Sequence, residues 1–211
     1  MTRYADSGFV VSLYKSELTS ESAGRVMAEG CMPVLLSQLN CLEVQNALHL
    51  AVFRGKITHA ERLAKRGFFQ ADVQAGVFSI VPVPSVELHD LAGELADRYS
   101  AVEGTRNLDL LHVAAALLLK VGELLSFETR QRKVASKEGL RVQPSTASRL
   151  IAHLREQGLL PARGGASGWM RSLPFAPPDC FHQQRTQTPA MPKRIGTQNL
   201  PPGIYRGAMS D

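Results

Sequence analysis

The chain has little cysteine and no long apolar segment. These two absences disfavour a disulfide-rich secreted protein, a zinc-binding protein and a membrane-spanning protein. It contains three cysteines among 211 residues, at Cys31, Cys41 and Cys180, and none has the CxxC or CxxH spacing of a zinc site. An odd number without regular spacing also disfavours a disulfide framework and favours a reducing compartment. The longest mainly apolar run, 110–119, is far shorter than the ~18 residues of a membrane-spanning helix, and Asp6 interrupts any signal-peptide pattern. We therefore expect a cytoplasmic protein without a membrane segment.

Excess positive charge is absent from the first two thirds of the chain and concentrated in the last third. Residues 1–143 contain 16 Lys and Arg against 16 Asp and Glu, whereas residues 144–211 contain 8 against 3. The same last third holds nine of the twelve prolines. This shift predicts a folded domain over 1–143 and a basic Pro/Gly-rich extension over 144–211. Within the extension we expect one helix at about 145–158, followed by disordered chain.

Short apolar runs alternate with helical patterns throughout residues 1–143, and no internal repeat is present. Strands are predicted at 4–6, 33–37, 77–83, 123–127 and 140–142, with helices between them that begin near Ser7, Asn40 and Thr58. Strands separated by helices at this spacing favour parallel pairing through crossover connections. The predicted fold is an α/β class, three-layer α/β/α sandwich around a mainly parallel sheet of about five strands. GxGxxG, P-loop and GxSxG motifs are absent, so nucleotide-binding and serine-hydrolase interpretations have no anchor.

Four carboxylates occupy positions at which a purely structural interpretation expects other residues. Asp6 and Glu128 each follow an apolar strand and precede a helix, which places them at the carboxyl edge of a parallel sheet. Each is also a possible helix-capping acid. Asp109 opens the most hydrophobic helix, at 108–120, where an acid also suits the helix dipole.

Glu43 is the fourth of these acids. The predicted apolar stripe of its helix consists of Leu39, Leu42, Ala47 and Leu50, and Glu43 falls within it. A buried carboxylate needs a partner, and a buried salt bridge is the structural alternative.

Taken together, Asp6, Glu43, Asp109 and Glu128 come from four elements that a parallel sheet can bring to one edge. Clustered carboxylates repel one another unless a proton or a cation intervenes, and oxygen ligands suit Mg²⁺ or Mn²⁺. Such a site makes water nucleophilic and neutralises developing phosphate charge. The pattern therefore indicates phosphodiester hydrolysis.

Four segments resemble the PIN-domain family, in particular its VapC-like toxin branch. They are YADSGFVVSLY (4–14), LEVQNALHLAVFRGKIT (42–58), TRNLDLLHVAAAL (105–117) and SFETRQRKVASKEGLRV (126–142). The segments lie in the family's order and at the family's spacing, and they are distributed over nearly the whole span of residues 1–143. The resemblance implies an Mg²⁺- or Mn²⁺-dependent endoribonuclease, the toxin of a type II toxin–antitoxin pair. It also implies a cognate antitoxin that blocks the acidic pocket and a homodimeric state.

By the same resemblance, the metal-binding and catalytic acids are Asp6, Asp109, Glu43 and Glu128, with Asp6 and Asp109 as the firmest ligands. Glu43 and Glu128 would bind a second, weaker metal or orient the water. The chain departs from the family at two positions, because the family usually has Asp at Glu128 and Thr at Ser126. The longer side chain of glutamate extends further from the backbone, so second-metal affinity and activity depend on whether Glu128 can replace the usual aspartate.

Other polar residues near these acids have less specific interpretations. Ser7 and Ser126 are candidates to hydrogen-bond the carboxylates or the water, or to serve as caps or sheet-edge polar groups. His112 is expected to be structural and to bond the backbone or a carboxylate. Arg106 and the run 130–133 (RQRK) are candidates for an RNA-facing basic rim, although charged helix faces are usually only solvated.

Two alternatives to an active ribonuclease follow from the sequence. One is a catalytically weakened PIN domain that binds RNA or a protein partner. The other is a winged-helix DNA-binding regulator, because QRKVASKEGL (131–140) and STASRLIAHLREQGLL (145–160) together resemble a helix-turn-helix. The identity of the RNA and of the cleavage site cannot be inferred from the sequence, since no aromatic platform for unpaired bases stands out.

Overall fold

Parallel strands alternate with helices over the part of the chain that the structure describes. This computed structural model describes residues 1–15, 19–30 and 33–145, together with Leu154 and Gln157. The strands are β1 (Arg3–Ala5), β2 (Val34–Leu36), β3 (Phe78–Ile80), β4 (Glu123–Leu125) and β5 (Arg141–Gln143). The helices are α1 (Ser7–Tyr14), α2 (Ser20–Ala28), α3 (Gln38–Phe53), α4 (His59–Gln74), α5 (Ser85–Glu103), α6 (Asn107–Leu118) and α7 (Thr129–Lys137).

The five strands form one sheet in the order β3-β2-β1-β4-β5, and every neighbouring pair is parallel. In the centre, Tyr4 of β1 is in register with Leu35 of β2 and Leu124 of β4. Parallel neighbours require crossover connections, and the helices supply them. The predicted α/β class and five-stranded parallel sheet are confirmed.

Two hydrophobic clusters cover the two faces of the sheet. Successive residues of a strand point to opposite faces, so Ala5 and Leu125 join one cluster whereas Tyr4 and Leu124 join the other. The first cluster takes its helical side chains from α1, α2, α3 and α4, and the second takes them from α5, α6 and α7. The result is the predicted α/β/α sandwich, whose loops at the carboxyl edge of the sheet carry the candidate acids.

The N-caps of α1 and α3 lie one and three residues before the residues near which these helices were predicted to begin. Asp6, not Ser7, is the N-cap of α1, and its side chain accepts the Phe9 N–H. Ser37, not Asn40, is the N-cap of α3, while Asn40 lies inside the helix and accepts the Ser37 N–H at 2.8 Å. In both cases the strand ends one residue earlier than predicted, and the cap is the first residue after the strand. The predicted helix start near Thr58 is confirmed, and Thr58 forms a capping box with Glu61.

The predicted apolar stripe of α3 was also wrong. The buried residues of this helix are Asn40, Val44, Leu48 and Ala51. Leu42 is 66% exposed and Leu50 is also exposed, so Glu43 borders the buried face rather than lying within it. The sequence pattern misled because the buried face begins with a polar residue, Asn40.

The end of the described sandwich bears on the helix-turn-helix alternative. Val134 and Ala135 of α7 are fully buried, and β5 pairs with β4. Residues 131–140, which resemble the first helix of that motif, therefore belong to the sandwich. The predicted helix at 145–158 and the extension 144–211 lie almost wholly outside the described residues. Among the residues that are described, none of the helices combines the length and apolarity needed to span a bilayer.

Candidate functional site

The carboxyl ends of the central strands converge with the amino-terminal turns of several helices. The Asp6 N–H donates to the Leu125 carbonyl at 3.0 Å, which fixes the end of β1 beside the end of β4. The start of α6 reaches the same edge, because Gln131 Nε2 of α7 donates to the Asp109 carbonyl at 3.4 Å. This edge is where open α/β folds place their ligands.

Asp6 is the most deeply placed of the four acids, with 5% of its surface exposed. Its Oδ1 accepts the Phe9 N–H at 2.6 Å, and its Oδ2 accepts the hydroxyl of Ser126 at 2.5 Å. Burial raises the pKa of Asp6, and the Glu43 charge adds to this, whereas His112 and the two hydrogen bonds act in the opposite direction without cancelling it. Ionisation of Asp6 is therefore unfavourable unless a positive charge compensates it.

The hydrogen bonds of Ser126 indicate where the protons of this network lie. Its fully buried hydroxyl lies 2.5 Å from both Asp6 Oδ2 and Gln131 Oε1. A hydroxyl has one hydrogen, and an ionised carboxylate and an amide oxygen only accept. The Gln131 amide keeps this orientation because its Nε2 donates to Asp109. A proton on Asp6 satisfies all three groups, in agreement with its raised pKa.

Glu43 reaches the same site from α3. Its Oε2 accepts the Ser7 hydroxyl at 2.7 Å and lies 2.7 Å from His112 Nε2. Burial on its own would raise the pKa of Glu43, but the hydrogen bond and charge of His112 and the hydrogen bond of Ser7 lower it overall. Glu43 is therefore held as an anion. The expectation that His112 bonds a carboxylate is confirmed.

Asp109 lies in the first turn of α6 and is half-buried. Its Oδ2 accepts the Arg106 N–H at 3.2 Å. Burial raises the pKa of Asp109 and the Glu128 charge adds to it, against the lowering effects of Arg106 and His112. Asp109 thus stabilises the first turn of α6, as the helix-dipole interpretation predicted. It also lies close enough to Glu128 for that charge to raise its pKa.

Glu128 is exposed and is the N-cap of α7. Its Oε1 lies 3.5 Å from the Arg130 nitrogen, which is a long hydrogen bond, and its own N–H donates to Ser126 Oγ at 3.1 Å. The structural alternative of a capping acid is therefore realised here too. Of the four acids, Glu128 alone is exposed.

The structure brings the four acids into two electrostatic pairs, Asp6 with Glu43 and Asp109 with Glu128. Among the described residues, no lysine or arginine forms an ion pair with Asp6, Asp109 or Glu128. Within those same residues, no group of three or more potential ligands is assembled closely enough to hold a metal ion. The donor chemistry nevertheless fits a hard divalent cation, since all the donor atoms are oxygens. Two of the acids, Asp6 and Asp109, have raised pKa values, and a nearby positive charge would favour their ionised forms. Both oxygens of Asp6 and one oxygen of Glu43, Oε2, already take part in hydrogen bonds that an ion would have to rearrange.

The predicted basic rim at 130–133 was wrong for two of its four residues. Gln131 is 1% exposed and Arg132 is 9% exposed. Arg132 donates to the carbonyls of Ser126 and Pro144, each at 2.6 Å. Its guanidinium therefore holds these two backbone segments together and does not face solvent. Arg130 and Lys133 remain at the surface.

Four buried polar groups around the acids were not assigned to the site from the sequence: Tyr4, Ser37, Asn40 and Gln131. Tyr4 and Asn40 each interrupt an otherwise apolar buried face, which is the one signal that could have identified them. Gln131 stands in a run of charged residues that looks solvent-exposed, so no local signal distinguishes it.

Comparisons with known proteins add little to this geometry. No family model matches the chain, and no curated protein matches it. Among solved structures, the crystal structure of FitAcB from Neisseria gonorrhoeae is similar over 67% of this chain and 96% of that chain, with 13% sequence identity and a TM-score of 0.48. A likeness of this degree says nothing about activity, so the functional argument depends on the site itself.

Proposed function

We propose that this protein is an endoribonuclease that hydrolyses RNA phosphodiester bonds with Mg²⁺ or Mn²⁺. One observation carries the proposal. Four carboxylates from four separate elements lie at the carboxyl edge of a parallel sheet, and the pKa values of the two that are firmest by resemblance are raised. Burial is the main cause of both shifts and the neighbouring carboxylates add to them. A bound divalent cation would offset the cost of ionising these buried acids.

In this proposal Asp6 and Asp109 hold the ion most firmly, while Glu43 and Glu128 bind a second, weaker ion or orient the attacking water. When bound, the ion makes that water nucleophilic and neutralises charge on the phosphate. Ser126 directs one oxygen of Asp6, and Ser7 directs Glu43. Because its pKa is raised, Asp6 holds a proton more tightly than a free aspartate does, and an ion bound there would compete with that proton.

We further propose, from the resemblance, that the activity is that of a toxin paired with an antitoxin, and that the protein forms a homodimer. The antitoxin would cover the acidic edge of the sheet. Growth arrest on expression of the wild type, with normal growth for Asp6→Asn, would support the toxin role, and normal growth with both would contradict it. Sedimentation of the purified protein tests the dimer.

The decisive experiment is cleavage of a mixed tRNA and rRNA substrate with Mg²⁺, Mn²⁺ or EDTA. Wild type is compared with Asp6→Asn, Asp109→Asn and a matched control, Asp90→Asn, whose aspartate is exposed on α5. We expect cleavage that requires metal, disappears in the two site variants and persists in the control. Equal residual cutting in all four proteins would identify a contaminant and refute the proposal.

A specific observation favours a second candidate, a weakened PIN-like domain that binds RNA or protein without efficient cleavage. Glu128 is exposed and serves as a helix cap, and no metal-ready cluster is assembled among the described residues. Calorimetric titration with Mn²⁺ separates the two candidates. RNA binding without Mn²⁺ uptake or cleavage would favour the binding module.

A further inference from the structure

His112 is a buried polar residue in the middle of α6, a mainly apolar helix, and both of its ring nitrogens have partners. It is 4% exposed. Its Nε2 lies 2.7 Å from Glu43 Oε2, and its Nδ1 lies 2.9 Å from the Tyr4 hydroxyl. The imidazole therefore connects α6 to the central strand on one side and to an acid of the candidate site on the other.

The hydrogen count fixes the direction of the contact with Glu43. An ionised carboxylate only accepts, so Nε2 carries a hydrogen and donates it. Nδ1 then either accepts the Tyr4 hydrogen or carries a second hydrogen that it donates to the Tyr4 oxygen. The Nε2–H points at Glu43 in both arrangements, so the contact does not depend on the charge of the ring.

Tyr4 is a rigid support for this histidine. It is fully buried in β1, and its hydroxyl oxygen also lies 2.9 Å from Asn40 Oδ1 and 3.1 Å from Ser37 Oγ. Asn40 in turn donates to the Ala5 carbonyl at 2.9 Å. Burial raises the pKa of Tyr4, so the phenol keeps its hydrogen. Strand β1 and the start of α3 thereby fix the place of the imidazole.

We propose that His112 is a positioning residue that holds the Glu43 carboxylate in the acidic site and thereby sets the affinity of the site for a divalent cation. Glu43 has three rotatable side-chain bonds and a side chain that is 22% exposed, so without restraint it would sample solvent-facing rotamers. His112 and Ser7 grip the same oxygen, Oε2, and leave Oε1 for a ligand. Partners of this kind, behind a ligand, change metal affinity by about 10–100-fold. The inference depends on the proposed function for its metal site, but not on RNA cleavage.

The test is Mn²⁺ binding by the full chain, measured by electron paramagnetic resonance of free Mn²⁺. The variants are His112→Leu, Glu43→Gln, their double variant, and His89→Leu as a matched control at an exposed histidine of α5. We expect each single site variant to bind Mn²⁺ about 10–100-fold more weakly and the double variant to be no weaker than the worse single one. His112→Gln should retain part of the affinity, because its amide replaces the lost Nε2–H. His89→Leu should bind like wild type.

Two results would overturn the inference: wild-type affinity in His112→Leu, or losses that multiply in the double variant. If His112→Leu does not fold, as judged by circular dichroism, Tyr4→Phe takes its place, since it removes only the hydroxyl behind Nδ1. Weaker Mn²⁺ binding by Tyr4→Phe would support the inference and unchanged binding would overturn it.

The same proteins separate this inference from the proposed function. Wild type that binds Mn²⁺ but leaves RNA intact would refute the ribonuclease alone. Wild type that binds no Mn²⁺ would refute both the ribonuclease and the role of His112 in metal affinity. The contact between His112 and Glu43 would then be tested by the melting temperatures of the wild type, the two single variants and the double variant in EDTA. Losses that add in the double variant would overturn the contact as well, and losses smaller than the sum would support it.

Discussion

Replacement of Ser126 by alanine is the most direct test of the hydrogen-bond network beneath the acids. The hydroxyl is fully buried and contacts Asp6, Gln131 and the Glu128 N–H. Its removal leaves Gln131 Oε1 and one Asp6 oxygen without this partner, whereas the Glu128 N–H is near enough to the surface to find water. Two buried groups at about 1–2 kcal/mol each give a loss of about 2–4 kcal/mol in the free energy of unfolding.

The assay is urea and thermal denaturation of the metal-free protein at pH 7. For a chain of this size the loss corresponds to a decrease of roughly 4–16 °C in the melting temperature. Ser100→Ala is the matched control, because the Ser100 hydroxyl is only half-buried and contacts Thr105; it should stay within about 0.5 kcal/mol of wild type. A Ser126→Ala protein as stable as the control would refute the network.

Three further predictions follow from contacts near the site. In EDTA, the stability that Asp6 contributes to the wild type should decline as pH rises through its raised pKa, because the folded state holds that proton more tightly than the unfolded chain does, whereas the stability from the lowered pKa of Glu43 should be lost as pH falls through that pKa. Urea titrations at a series of pH values should show a flatter decline with rising pH for Asp6→Asn than for wild type, and identical slopes would contradict the assignment. Arg132→Met should lose about 3 kcal/mol or more of unfolding free energy, because two hydrogen bonds of 2.6 Å from a charged donor disappear, and Arg132→Lys should lose less. Equal stability of the wild type and both variants in urea denaturation would contradict this. Glu128→Asp should stabilise α7 by about 0.5–1 kcal/mol, because the shorter acid suits an N-cap better than the 3.5 Å contact of Glu128; a lower melting temperature would contradict it.

The architecture was largely predictable because it is determined by local patterns. Apolar runs of strand length, separated by helical periodicities, are sufficient to place five strands and to infer parallel pairing. The placement of Asp6 and Glu128 follows from the same reasoning, since each comes directly after a strand. These inferences need no knowledge of distant contacts.

The polar interior of the site was not predictable from local patterns. Asn40, Gln131 and Arg132 are buried because their partners lie in other elements: the Ala5 carbonyl for Asn40, Asp109 for Gln131, and the Ser126 and Pro144 carbonyls for Arg132. A polar residue is tolerated inside only when such partners exist. A sequence window shows the polar residue but not its partner, so the default expectation of exposure fails here.

The assembly of the acidic edge from distant parts of the chain also has a consequence during protein synthesis. Asp6 and Ser126 are separated by 120 residues, and Glu43 and His112 by 69. At about 5–20 residues per second, a ribosome needs roughly 6–24 s to proceed from the first of these residues to the last. During that interval the nascent chain carries Asp6 without Ser126, and it carries Glu43 without His112 until residue 112 is added. A chain released before residue 131 would lack Gln131, so abortive translation products would not contain the complete network.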